Sequence, residues 1–201
     1  MRKTILVVLM ILALVPAGLF AGILSLSLGA TAQYNGAVSV ADELEWQDGF
    51  EDIENWAFGP DIRLRLLFAE VGLAGLYSSI DDGHQLSGIL TGGVSFDLLG
   101  LLRIGLGMGP RMSVQFDSDF ANPTVMIAGT PETDVDFSTA FMNAPMTYRA
   151  TADLKLGKLL FGLSYIIDSA GFTFEEQDWE KMLPDFEAGG TVGVSLLYTL
   201  F

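Results

Sequence analysis

The chain has 201 residues, half of them hydrophobic with a mean hydropathy of +0.44, and 25 acids against 10 bases give a net charge of -15. Such a length makes one domain, with more apolar surface than a modest core absorbs. The acidic balance excludes nucleic acid as a partner and a polybasic dock on anionic headgroups, and the absence of cysteine excludes disulfides, thiolate metal sites and thiol nucleophiles.

Arg2 and Lys3 precede an uninterrupted apolar run from Ile5 to Val15, then Pro16, Ala17 and Gly18, which is the layout of a secretory signal. Residues 1–21 are read as a signal peptide and 22–201 as the exported domain. Two cleavage points stay open. Ala30-Thr31-Ala32 is the better A-x-A match, but cleavage after Ala32 deletes a strand that cleavage after Ala21 preserves. The competing reading is an uncleaved anchor helix extending through Leu28.

From residue 23 onward the hydrophobic period is close to two, the mark of strands rather than helices. Eight runs show it: 23–34, 57–67, 69–78, 87–98, 101–116, 145–156, 159–167 and 189–200. The fifth is the most regular. There Leu102, Ile104, Leu106, Met108, Met112, Val114 and Phe116 alternate with Arg103, Gly105, Gly107, Gly109, Arg111, Ser113 and Gln115. An even count of antiparallel strands predicts an all-β fold, an eight-stranded up-and-down barrel.

The connections alternate long and short. Three are tight, near Leu67-Phe68-Ala69, Leu99-Gly100 and Gly157-Lys158. The other four hold 21 of the 25 acids: seven in Asp42 to Glu54, Asp81 and Asp82, five in Asp117 to Asp136, and seven in Asp168 to Glu187. An up-and-down barrel puts all four on one rim, whose sole base is Lys181. Long loops on the outer side and short turns on the other are the habit of transmembrane barrels.

A soluble barrel with its apolar face inward would show the same period, and the polar face separates the two. It is rich in Gly, Ser and Thr and carries ten charges: Asp61, Arg63, Arg65, Glu70, Asp97, Arg103, Arg111, Arg149, Asp153 and Lys155. That suits a crowded lumen better than a wet exterior. An Arg or Lys pointing into the bilayer midplane costs roughly 2–4 kcal/mol, so its avoidance on the other face predicts lipid contact. Tyr34, Tyr77, Tyr148, Tyr165 and Tyr198 all fall on the apolar phase close to a strand end, as interfacial aromatic girdles require.

The chain closes with GVSLLYTL and a terminal Phe201. Here it resembles bacterial outer-membrane β-barrel proteins, and in size and strand count the small OmpX-like, OmpA-like and OmpW-like group. The resemblance implies residence in the cell outer membrane, with the lipid bilayer as surroundings, and Phe201 as the signal read by the barrel-assembly machinery. It implies no catalytic motif and no cofactor. One departure stands out: the usual terminal signal has apolar residues at odd positions from the end, where this chain has Thr199 and Ser195. Either the last residue turns away from the ladder or the phase is shifted by one.

The ten lumen charges are expected to form an ion-pair network that fills the bore, since buried charges must be paired. The rival expectation is a narrow conduit for small hydrophobic or amphiphilic solutes. The rim acids favour divalent cations or a basic surface partner, with Asp117, Asp119, Asp134 and Asp136 as the densest weak metal candidates. Thr173 and Glu176 have capping-box spacing before DWEKML, which predicts a short helix ended by Pro184, with Trp179 and Met182 or Leu183 as a lid or receptor-facing patch. The only histidine, His84, lies near Asp81, Asp82, Ser79 and Ser87. Lipid-modifying catalysis there is the third reading, and no enzymatic role is expected because no fixed nucleophile geometry accompanies it.

Overall fold

A computed structural model describes residues 23–35, 51–80, 83–127, 130–132 and 135–201. The signal peptide, most of the first acidic stretch, Asp81, Asp82 and Asp134 lie outside them. Eight strands form the ring: β1 (Leu24–Tyr34), β2 (Trp56–Leu66), β3 (Ala69–Ile80), β4 (Gly83–Leu98), β5 (Leu102–Asp117), β8 (Met146–Leu156), β9 (Leu159–Asp168) and β10 (Thr191–Thr199). Each pairs antiparallel with its sequence neighbour in this set, and β1 closes on β10 from Ser27↔Thr199 to Gln33↔Gly193. The fold is therefore a closed all-antiparallel eight-stranded barrel, which leaves no open edge in the ring.

Two further strands, β6 (Thr124–Ile127) and β7 (Thr130–Glu132), were not expected from the alternation. β5 pairs with β8 only as far as Pro110↔Met146, and above that point β6 takes over at Ser113↔Met126. Beyond it Arg111 N still donates to the Pro145 carbonyl at 3.0 Å, but Pro145 has no amide to return the bond, so the exchange of partners falls where the ladder cannot continue. The third acidic stretch thus carries a hairpin, followed by a helix, α1 (Phe137–Met142), whose N-cap Asp136 accepts from the Thr139 amide at 2.9 Å.

The tight turns sit at the other end. Leu99 and Gly100 have φ of 53° and 69°, and Gly157 has 65°. The first turn manages without glycine. Leu67 adopts φ 57°, a conformation costing an L residue roughly 1–2 kcal/mol, while its amide donates to Ile23 O at 2.6 Å and the Phe68 carbonyl accepts from Ser95 N at 2.7 Å.

The phase is unshifted at the C-terminus, because Thr199 bonds Ser27 inside the barrel at 3.0 Å. The terminal mismatch is a bulge. Leu26 accepts from Leu200 N and donates to Phe201 O, so two residues oppose one and Phe201 leaves the alternation.

Side chains sort by face as the period requires. On β2 the outward Phe58, Ile62, Leu64 and Leu66 are exposed, while Asp61 and Arg63 between them are buried. Exposed leucine, valine and phenylalanine continue around the ring, as in Val71, Leu73, Leu106, Leu163 and Leu196. This is a membrane protein turned outside in: hydrocarbon solvates the exterior and charge is confined to the bore. No helix among the described residues is long and apolar enough to cross a membrane.

Candidate functional site

In ring order β2 and β8 are four strands apart, so they face each other across the bore. Arg63 on β2 donates through Nη1 to both oxygens of Asp153 on β8 at 3.0 and 2.9 Å. Arg149 on β8 reaches back to Asp61 on β2 at 2.5 Å. Arg63 also bonds Asp61 at 2.8 Å and the Ser195 hydroxyl of β10 at 3.1 Å, so every guanidinium nitrogen is used. All four charged side chains are at most 4 % exposed. Beside them, lined by Arg63, Glu70, Thr91, Arg149 and Thr151, remains a void of about 10 Å³, room for about one water.

Below this belt, toward the tight turns, Asp97 receives three cations: Arg65 at 2.9 Å, Arg103 at 2.9 Å and Lys155 at 2.7 Å. The cations come from three different strands and Asp97 from a fourth, and the four border an open vestibule of about 410 Å³ that Lys158 and Phe201 also line. Glu70 joins neither set, and its Oε2 is buried without a hydrogen-bond partner. Arg111 stands apart at the loop end, 3.8 Å from Asp168. Counted in sequence with the acidic rim, Asp168 is instead the last residue of β9 and also accepts from Thr147 at 2.5 Å.

Above the charged belt lies an inward apolar cluster of Ala57, Leu76, Ile89 and Ile166. Sequence reasoning missed it, although each residue sits at a lumen position of its run. The signal was a phase violation: apolar side chains on the polar face. Ser87 and Ser113, 2.9 Å apart, and Gln85 and Gln115, 3.1 Å apart, complete the upper bore.

The loops form a cap held by aromatic contacts. Phe137 and Phe141 of α1 lead to Phe174, Phe172 and Trp179 of the last loop, with successive ring centroids 5.5 to 6.3 Å apart. The predicted short helix there is a 3-10 turn, Trp179–Met182, capped by Asp178. Thr173 does accept from Glu176 N at 3.2 Å, but it closes the preceding turn rather than starting the helix. The Tyr148 hydroxyl donates to the Met182 carbonyl, tying the cap to β8. Trp179 and Leu183 remain largely exposed.

The candidate metal ligands have local duties. Asp117 accepts from Ala121 N at 2.7 Å, Asn122 Nδ2 at 2.8 Å and Asp119 N at 3.2 Å, which folds the turn after β5. Asp136 caps α1, and the Thr139 amide and then hydroxyl hold its carboxyl below the usual carboxylate value. Among the described residues no three acid or histidine side chains converge on one point. His84 points outward, stacks on Phe120 with centroids 4.0 Å apart, and has Nδ1 2.8 Å from the Tyr77 hydroxyl. Ser87 faces the opposite side of the sheet, bonded to Ser113.

Fold and site together define a transmembrane β-barrel with a charge-filled bore. No protein-family model and no curated protein matches the sequence. Among solved structures, the chain is similar to the de novo designed TMB2.3 at 10 % identity and a TM-score of 0.43, over 90 % of this chain and 97 % of that one. It is also similar to Neisserial surface protein A (NspA) at 12 % identity and a TM-score of 0.40, over 89 % and 96 %.

Proposed function

We propose that this chain is a bacterial outer-membrane barrel with a structural or surface-interaction role, non-enzymatic and non-conducting, that works through its loop cap. The observation that carries this reading is the reciprocal pairing of Arg63 with Asp153 and Arg149 with Asp61 across the full width of the bore. A path for solutes must break both pairs, and separating a buried pair costs about 3–5 kcal/mol. A signal cleaved after Ala21 leaves β1 whole, and Phe201 is the residue offered to the assembly machinery. The acidic rim favours a divalent cation or a basic partner, met first by the exposed Trp179 and Leu183.

Planar-bilayer recording tests the reading. The full chain is expected to give no unitary currents, whereas a variant with Asp61, Arg63, Arg149 and Asp153 all replaced by Ser gives small ones. Reproducible currents from the unmodified chain that vanish when Arg103 and Arg111 are neutralised would establish the conduit instead.

A further inference from the structure

A cavity of about 690 Å³ lies not in the bore but on the outside of the wall. Its lining on the ring strands spans β2 to β5, and all but two of these residues, Leu76 and Ser87, have the lipid-facing phase. Its floor is a dent. Gly75 and Gly88 are direct cross-strand partners on the outer face, and a Cβ at Gly88 would meet nothing within 4 Å. Phe58, Tyr77 and Met112 stand around the dent, and Val125 of β6 with Phe137 of α1 overhang it. The unexpected hairpin and helix therefore roof a groove whose other sides belong to the barrel–lipid interface.

The volume falls within the roughly 300–1,000 Å³ typical of small-molecule pockets, and the surface is almost wholly apolar. Exposed Leu90, Val94, Phe96 and Leu98 continue the outer face of β4 toward the tight turns, so the groove opens at the loop end of the hydrocarbon band. The Tyr77 and His84 pair marks its polar edge, where aromatic rings with polar tips take headgroup level. Water gains nothing in such a space, and a rigid roofed wall offers an acyl chain more close contacts than fluid neighbours do.

We propose that this groove is a binding site for one acyl chain of a membrane phospholipid, held with an ammonium-bearing headgroup against the acidic loop rim. The inference rests on reading the chain as a membrane barrel, not on whether its bore conducts. It gives the third loop a role, that of converting a glycine dent in the wall into a lipid seat.

Native mass spectrometry of the full chain, released from octyl glucoside micelles with palmitoyl-oleoyl phosphatidylethanolamine added, tests it. A one-to-one lipid adduct is expected, and Gly88→Phe, which fills the dent, should lower it by about tenfold. Gly92→Phe, equally open and outward on the same strand but outside the cavity lining, should leave it unchanged. Phe137→Ser alters only the roof, so the ring folds regardless, and should lower the adduct by about threefold. Heat-modifiable migration on a denaturing gel confirms that each variant is a barrel, and its loss in the unmodified chain would sink the barrel reading separately. Equal adducts in Gly88→Phe and Gly92→Phe, stronger retention of free palmitate or of phosphatidylglycerol, or a protein dimer that Gly88→Phe disperses, would each overturn the proposal.

Discussion

Arg63 on β2 and Asp153 on β8 meet at 2.9 Å although their strands stand on opposite sides of the ring. Arg63→Met leaves Asp61 with Arg149 alone and strips Asp153 of the guanidinium that neutralises it in a dry interior, which is expected to cost about 3–5 kcal/mol. Urea unfolding in lipid vesicles should show the loss. A midpoint unchanged from the parent chain would mean that the belt fills space without adding stability.

Outward and inward positions on β5 should respond oppositely. Ile104 is 44 % exposed on the lipid face, and Ile104→Arg should cost about 2–4 kcal/mol and block assembly into vesicles. Gly105→Ser, on the lumen face, places a Cβ 2.6 Å from Thr151 Oγ1. Overpacking there should cost about 1–3 kcal/mol. Pairing it with Thr151→Ala should restore assembly, and failure of that rescue would mean that the crowding lies in the backbone.

The cap on α1 should titrate below the ordinary carboxylate value. Because the Thr139 amide and hydroxyl hold the Asp136 carboxyl below its ordinary value of 3.8, the folded loop has the lower pKa. Its stabilising effect is fully present above the ordinary value and is lost as pH falls through the depressed one. Amide exchange at Thr139 should therefore stay slow through pH 4 and quicken below it. Asp136→Ala should make that exchange fast throughout, and a transition above pH 4 would contradict the assignment.

The aromatic chain joining the third and fourth loops should unzip from its buried member. Phe172 is 3 % exposed and touches both Phe174 and Trp179. Phe172→Ala removes packing worth about 3–5 kcal/mol, so limited proteolysis should cut between residues 170 and 190 while the barrel stays intact. Trp179→Ser, at the exposed end, should change cleavage little.

Much of this molecule is visible in its alternation. The run 101–116 separates Arg103 from Ile104 by a single step, and the pleat turns that step into lumen against lipid. What misled was local. Asp168 reads as the first acid of a loop, yet it closes β9, because a strand boundary depends on its partner strand and not on its own chemistry. The hairpin of β6 and β7 is equally hidden, since two short segments of three and four residues carry too few alternations to register.

By itself the sequence determined the number of ring strands, the face their residues take and the gathering of acid at one rim, because period two and charge avoidance are properties of neighbouring residues. Only the tertiary structure decided which charges meet. Ring closure brings β2 opposite β8, so Asp61 and Asp153, 92 positions apart, share one arginine. It likewise brings Gly75 beside Gly88 and folds Phe137 over them, and no periodicity encodes that approach. Faces are local; partners across a bore or beneath a roof depend on how the whole ring closes.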